Sequence, residues 1–472
     1  MGFKSMTMYC KYVLRILIIN LLSLLLLFPN SSQQGSRAYA LTVEEERILG
    51  ERFLREVTRH FEFVEDYFVS AYINKLGRYL IEPLETKPFP FQFYVINDNT
   101  LNAFAAPGGH IFIFSGLIQA FESIDELASV ICHEIGHVSA RHLAQRIEQN
   151  KKIGWATMAG MLAGMLIGGK AANAIITGTV AAGIQTQLHY SRNDERQADQ
   201  LGFKYMNKAG FDSSKMITVL KKIEQGQFFG SDRVPAYLLT HPSGPERMSN
   251  IDVLLSGYTP GSENRESAAF RELFPFFQTT IRAKDKQPEA AEKQFKMELE
   301  KDPDSSLAHF GLGIVEKERS EYGPAINHFK KALMKKPESV PILRNLGEAY
   351  QLKGQYEKAV ETLEKVLETD DKDKPSLILL AHCYQSMEDF RKAIGLYERL
   401  ISMEPVKDDI FYNLGLCYGR QGKLSLAHYY FGISFKRSGK REKARFHFQK
   451  AEGYLKNDPL LQARINEAMK DL

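Results

Sequence analysis

His133, Glu134 and His137 stand in the order HEIGH, two imidazoles four residues apart with a carboxylate beside the first. On a helix such a pair lies on one face, one turn above the other, so both rings can offer a nitrogen to one metal ion. Glu134 is then placed to hold and deprotonate a metal-bound water, the chemistry of zinc-assisted peptide hydrolysis. Such a zinc needs a third protein ligand. Residues 191–209 read as a later helix with Ser191 as N-cap and Gly210 as C-cap. Glu195 and Asp199, four apart on it, are the candidates for ligand and supporting carboxylate, and spacing alone leaves Asp194 and His189 open as well. His142 is a poorer choice of ligand, since five residues beyond His137 it faces away from the metal. His241 lies in a loop-like stretch, residues 240–247. It reads either as a turn histidine before a helix start, or as a group that swings onto the metal or steadies an oxyanion, with Arg247 anchoring the loop.

The elements that must position these groups are legible around them. Ser123 and Glu126 read as a capping box, and the run from Ile124 to about Gln149 holds no proline and one glycine, Gly136, so the histidines fall mid-helix. Residues 109–114 (GHIFIF) read as a strand entered through a Pro-Gly-Gly turn, and residues 91–96 (FQFYVI) as another. A strand beside the metal helix could take an extended peptide along its edge. With helical periodicity over 43–61 and 67–81, this is an α+β arrangement with the metal helix at its centre.

At 472 residues the chain accommodates two or three domains, and its 44% hydrophobic and 25% charged content is that of a globular protein. The formal charge of +4 traces to Lys4, Lys11, Arg15 and Arg37, in a segment of forty residues without Asp or Glu. The remainder is near neutral, which argues against nucleic acid as a partner. Residues 1–40 read as a cleaved export signal: a basic start, an apolar stretch over 16–28, and Ala38, Tyr39, Ala40 as the cleavage site. Cys132, Cys383 and Cys417 do not describe a disulfide framework and read as packing residues. Residues 153–184 are Gly- and Ala-rich, with Ala156, Gly160, Gly164 and Gly168 four apart. Lys170 and Asn173 interrupt the segment, which reads as a lid or membrane-dipping hairpin near the metal, with a buried helix pair as the alternative, rather than as two spans.

The last third repeats every 34 residues, the tetratricopeptide period. Gly313, Gly347, Ala381 and Gly415 share one register; Ala291, Ala325, Ala359, Ala393 and Ala427 another; Tyr350, Tyr384 and Tyr418 a third. The pattern implies paired antiparallel helices with small residues at the crossings and large ones between them. Residues 268–281 read as the first helix of an irregular opening unit, and 441–454 and 460–469 as closing helices. Asn345 and Asn413, at one repeat position, read either as groove-lining residues or as ordinary exposed asparagines. The expected layout is a signal (1–40), an α+β zincin-type metallopeptidase domain (41–255), a linker (256–266) and an all-α tetratricopeptide-repeat solenoid (267–472).

Together, NAFAAPGGHIFIFSGLI, HEIGHVSARH, SRNDERQADQLG and HPSGPERM resemble the CAAX-prenyl-protease and HtpX class of zinc metallopeptidases. The likeness is greatest to its exported bacterial branch bearing tetratricopeptide repeats. The resemblance implies one zinc per chain, held by His133, His137 and Glu195, with Glu134 as general base and Asp199 as a supporting or proton-donating residue. It implies further that His241 can occupy the metal's open position and restrain activity. The function it implies is a periplasmic endopeptidase acting on unfolded or stalled outer-membrane proteins, with the repeats holding substrate or an outer-membrane assembly complex. The competing expectation is a periplasmic chaperone or assembly factor with a latent metal site.

Overall fold

The computed structural model describes residues 41–149, 190–224, 237–238, 241, 244–259, 264–403, 406, 408–455, 457–470 and 472. The expected signal, the 153–184 segment and His189 lie outside the described residues. The chain divides into two compact units between Lys286 and Gln287.

In the first unit, helix α1 (Val43–His60) opens on a capping box, with Thr42 N–H donating to Glu45 Oε2 at 2.9 Å and Glu45 N–H to Thr42 Oγ1 at 3.2 Å. Helix α2 (Tyr67–Leu80) starts from Asp66. Three strands follow: β1 (Gln92–Ile96), β2 (Ala103–Ala106) and β3 (His110–Phe114). Their order is β1-β3-β2, with β3 parallel to β1 and antiparallel to β2. The β2–β3 turn needs its glycines, since Gly108 and Gly109 take φ of 75° and 86°. Alternation along the sheet divides the cores. Phe93, Val95, Ala105, Ile111 and Ile113 join the main core, whereas Ile96, Phe104, Phe112 and Phe114 pack on Phe53 and Val57 of α1. The sequence anticipated β1 and β3; β2 is additional, a four-residue return strand at the edge of the sheet.

After a short helix α3 (Ser115–Ala120), the metal helix α4 (Ile124–Ser139) begins at Ser123. Ser123 Oγ accepts from Glu126 N–H at 3.4 Å, but Glu126 Oε2 accepts from Glu122 N–H at 2.9 Å, so the expected box closes one residue early. Nor does the helix run on to Gln149. Arg141 takes a φ of 54°, and a separate helix α5 (His142–Gln149) follows. Arg141 is held in that left-handed turn by hydrogen bonds to Glu46 at 2.8 and 2.9 Å.

Helix α6 (Arg192–Lys208) crosses α4 at very short range. A Cβ on Gly136 would lie 2.8 Å from Ala198 O, and one on Gly202 3.2 Å from Cys132 C. Helices α7 (Lys215–Glu224), α8 (Pro245–Ser256) and α9 (Arg265–Ala283) complete this unit. The expected linker-then-repeat boundary at 267 is thereby displaced. Helix α9 belongs with the first unit, stacking Phe277 on Tyr72 at 4.4 Å, accepting Tyr72 Oη–H at Phe270 O at 2.8 Å, and pairing Arg271 with Asp125 at 2.7 Å. Amphipathic periodicity shows that α9 has an apolar face; it does not say which neighbour covers it.

The second unit is a run of helices: α10 (Pro288–Lys301), α11 (Ser306–Glu318), α12 (Tyr322–Lys335), α13 (Val340–Leu352), α14 (Tyr356–Thr369), α15 (Lys374–Ser386), α16 (Phe390–Ile401), α17 (Asp408–Arg420), α18 (Leu424–Arg437), α19 (Arg441–Gly453) and α20 (Pro459–Met469). Small residues sit at the crossings as the period implied. Positions for a Cβ on Gly313, Gly347 and Gly415 fall 2.6–2.8 Å from Phe329, Leu363 and Phe431. Asn345 does not line a groove: it is buried, donating to Pro341 O at 3.0 Å and accepting from Lys317 Nζ at 2.8 Å.

Glu316 on α11 is an uncomfortable member of this unit. Its Oε2 is buried without a hydrogen-bond partner among the described residues, and burial, reinforced by Glu321 and Glu292, pushes its pKa up to about 7. A carboxyl with a raised folded pKa leaves stability intact below its unfolded value and erodes it as pH climbs to the folded value. Glu316→Gln is therefore expected to stabilise the repeats by about 1–2 kcal/mol at pH 8, after allowance for partial solvent screening, and by almost nothing at pH 4. Denaturant melts of the two chains at both pH values check this, and an equal gain at both would refute it.

Candidate metal centre

The close α4–α6 crossing sets Glu195 against the two histidines of α4. Four buried donors converge there: His133 Nε2, His137 Nε2, Glu195 Oε1 and His241 Nδ1. His133 Nε2 lies 3.0 Å from His137 Nε2 and 3.3 Å from His241 Nδ1. Glu195 Oε1 lies 3.4 Å from His137 Nε2 and 3.1 Å from His241 Nδ1. Zinc bonds of about 2.0–2.1 Å would set tetrahedral donors about 3.3–3.4 Å apart, so the donor set fits a four-coordinate divalent metal in both chemistry and spacing.

Proton bookkeeping supports the same fit. With each cluster-facing nitrogen kept as a lone pair, the opposite ring N–H of His133 and of His137 finds an acceptor. His133 Nδ1 lies 2.9 Å from Asp199 Oδ1. His137 Nδ1 lies 3.0 Å from His142 Nδ1, whose ring passes its own Nε2–H to Gln197 Oε1 at 3.0 Å. His241 Nε2 faces Glu134 Oε1 at 3.4 Å.

Behind this layer, one guanidinium serves two carboxylates. Arg247 Nε and Nη2 donate to Asp199 at 2.8 and 2.7 Å, while Nη1 pairs with Glu195 Oε2 at 2.6 Å. The charges shift accordingly. Burial works against ionisation of Glu195, yet His241 and Arg247 hold its pKa well below the usual carboxylate range. For Asp199 burial again opposes, and Arg247 and His133 prevail. Burial would lower His133, but hydrogen bonds to Asp199 and Glu195 raise it to about 9, whereas burial dominates at His137 and lowers it.

Of the expected site residues, His133, Glu134, His137, Glu195, Asp199, His241 and Arg247 are all buried and linked through one network of contacts. Asp199 sits behind His133 as a brace. Asp194 instead closes the α6 capping box with Ser191, away from the donors. His142 supplies no metal donor, as expected, but it reaches the outer nitrogen of the His137 ring because α4 ends before it. Cys132 is buried packing, as expected. Two aromatic residues were not anticipated: Tyr190 stacks on His137 at 3.8 Å, and Tyr237 on His241 at 4.5 Å. His133, Asp199 and Arg247 also line a small pocket whose other wall is apolar, with Val130, Met216, Val219, Leu220 and Ile251.

Residues 68–254 match the model of peptidase family M48, and residues 318–383 and 376–408 match tetratricopeptide-repeat models. Among curated proteins, the chain is 32% identical over 219 residues to the beta-barrel assembly-enhancing protease of Escherichia coli K12, covering 46% of this chain and 45% of that one. The corresponding Yersinia pestis protein is 32% identical over 218 residues, covering 46% and 45%. The mitochondrial metalloendopeptidase OMA1 of Arabidopsis thaliana is 34% identical over 157 residues, covering 33% and 30%. The chain thus spans just under half the length of the beta-barrel assembly-enhancing proteases it matches.

Proposed function

Residues 68–254 being a family M48 peptidase domain, we propose that the chain is an exported, zinc-dependent endopeptidase of envelope protein quality control, with the repeats holding substrate or partner. The observation that carries this reading is Glu134. It is fully buried beside four converging donors, and neither of its carboxylate oxygens has a hydrogen-bond partner among the described residues. When bound, Zn²⁺ held by His133, His137 and Glu195 would polarise a scissile carbonyl and make a water acidic enough to attack it. Glu134 takes the proton from that water and passes it to the departing amine. Asp199 holds the His133 ring in the tautomer that offers Nε2, and Arg247 holds Asp199 and Glu195 in register. Strand β2 is one of the two edges of the sheet and packs beside α4 with its side chains buried, so an extended polypeptide adding along it would lie next to the metal helix. The name of the curated relatives, beta-barrel assembly-enhancing protease, supports a role beside the assembly of β-barrel proteins, and the substrates we propose are misfolded or stalled chains of that kind, with their assembly complex as partner. Export agrees with the basic, acid-free first forty residues, and among the described residues no helix is long and apolar enough to cross a membrane.

A chaperone or assembly role with a latent centre is the second reading, and the position of His241 favours it in the resting state. Its Nδ1 completes the donor tetrahedron while Nε2 faces the catalytic base, which is the space a water and a scissile carbonyl must share. We expect His241→Ala to raise cleavage of an unfolded polypeptide several-fold with metal content retained. Metal analysis alongside a cleavage assay checks this; no rise, or collapse of metal content, would remove His241 from a gating role.

A further inference from the structure

The first helices of successive repeats present equivalent positions every 34 residues, and what they present changes along the array. In α13 the face neutralises itself: Arg344 pairs with Asp373, and Glu348 with Lys317. In α17 and α19 the same positions carry Tyr412 and Phe446, then Leu416 and Lys450. Tyr412 is 42% exposed, Leu416 36% and Phe446 52%, large values for side chains of this kind on a single face.

Beneath them runs a continuous ladder of rings. Tyr412 meets Phe431 at 5.1 Å, Phe431 meets His447 at 5.3 Å, and His447 meets Phe446 at 5.2 Å. Three lysines border the ladder. Lys440 and Lys443 lie 6.0 and 5.7 Å from the Phe435 ring, and Lys450 lies 5.8 Å from Phe446. Among the described residues none of the three pairs with a carboxylate. The local composition matches: residues 408–455 hold nine Lys and Arg against four Asp and Glu, whereas residues 340–401 hold nine against eleven. The array therefore ends in a face that is both aromatic and cationic, with its charges not compensated internally.

We propose that this face of α17 and α19 is a docking surface for an extended acidic polypeptide segment carrying aromatic or large aliphatic side chains. Carboxylates on the incoming segment meet Lys443 and Lys450, and its apolar side chains cover Tyr412, Leu416 and Phe446. The linear spacing of the exposed groups, one set per repeat, suits a strand-like peptide better than a lipid surface, which would contact a plane. The proposal rests on the reading of the repeats as a polypeptide-binding array and is independent of peptide hydrolysis.

The test uses the full chain carrying Glu134→Gln, so that the probe stays intact. A fluorescent peptide alternating Glu and Asp with Phe and Leu is titrated by anisotropy against the same peptide with Lys replacing its acids. Preference for the acidic peptide is expected to be about ten-fold or more and to shrink with added salt. Lys443→Glu with Lys450→Glu should invert that preference, and Phe446→Ser should weaken both peptides; these side chains are exposed, and thermal melts confirm that the variants fold. Equal affinity for the two peptides, or a charge-reversed chain that behaves like the parent, overturns the proposal. So does binding to phosphatidylserine vesicles that the acidic peptide fails to displace, which would assign the face to a membrane. Loss of cleavage in the parent chain would count against the peptidase reading and leave this result untouched.

Discussion

Glu134→Gln is expected to lower cleavage of an unfolded β-barrel protein by about 10²–10⁴-fold while metal content stays near one per chain. The amide occupies almost the same volume as the carboxylate, so packing around a fully buried side chain changes little. What it loses is the ability to accept a proton, and no other group stands in for it. His241 is turned to the metal donors through Nδ1, and Asp199 is committed to His133 and Arg247. Cleavage kinetics and metal analysis on parent and variant decide the matter. Retained cleavage would rule out Glu134 as the base. If neither chain cleaves yet both suppress aggregation of the substrate equally, the protein is better described as a metal-bearing chaperone whose site is latent.

The second large effect is on stability. Arg247→Ala is expected to cost the metal-free peptidase unit about 3–5 kcal/mol, because it strands Glu195 and Asp199, both at most 1% exposed, without their shared cation. Metal affinity should fall as well, by about 10–100-fold, since Asp199 loses two hydrogen bonds and no longer fixes the His133 ring. Arg247→Lys restores a charge without the planar fork and should recover part of the stability. Hydrogen exchange over α4 and α6 in chelated protein, together with a metal titration, reads both effects. Unchanged exchange and unchanged affinity would show that Arg247 is dispensable.

Much of this site was legible because its geometry is periodic. Four-residue spacings on two helices put His133 above His137 and Glu195 above Asp199, and the 34-residue period announced the paired helices of the second unit. What escaped depended on tertiary context. Strand β2 is four residues, three of them alanine, with none of the β-branched signal that marks a strand. The end of α4 carries neither glycine nor proline; the left-handed turn at Arg141 is supported instead by Glu46, nearly a hundred residues upstream. The contact of His142 with the back of the His137 ring escaped for that reason. Asn345 looked like a groove residue because repeat position does not reveal that Lys317, from the preceding repeat, reaches over to it. Tyr190 and Tyr237 flank segments whose path no local pattern specifies.

The break at Arg141 changes what counts as the motif. Between His133 and His142 the chain writes one ten-residue phrase, helix, kink and new helix, in which the last letter holds the orientation of a ring five letters earlier. A relative could keep HEIGH unaltered and, by adding or losing one residue after Val138, swing His142 off the His137 ring. It would still be recognised by its letters and would grip its metal loosely. The heritable unit of this site is therefore a length as much as a spelling.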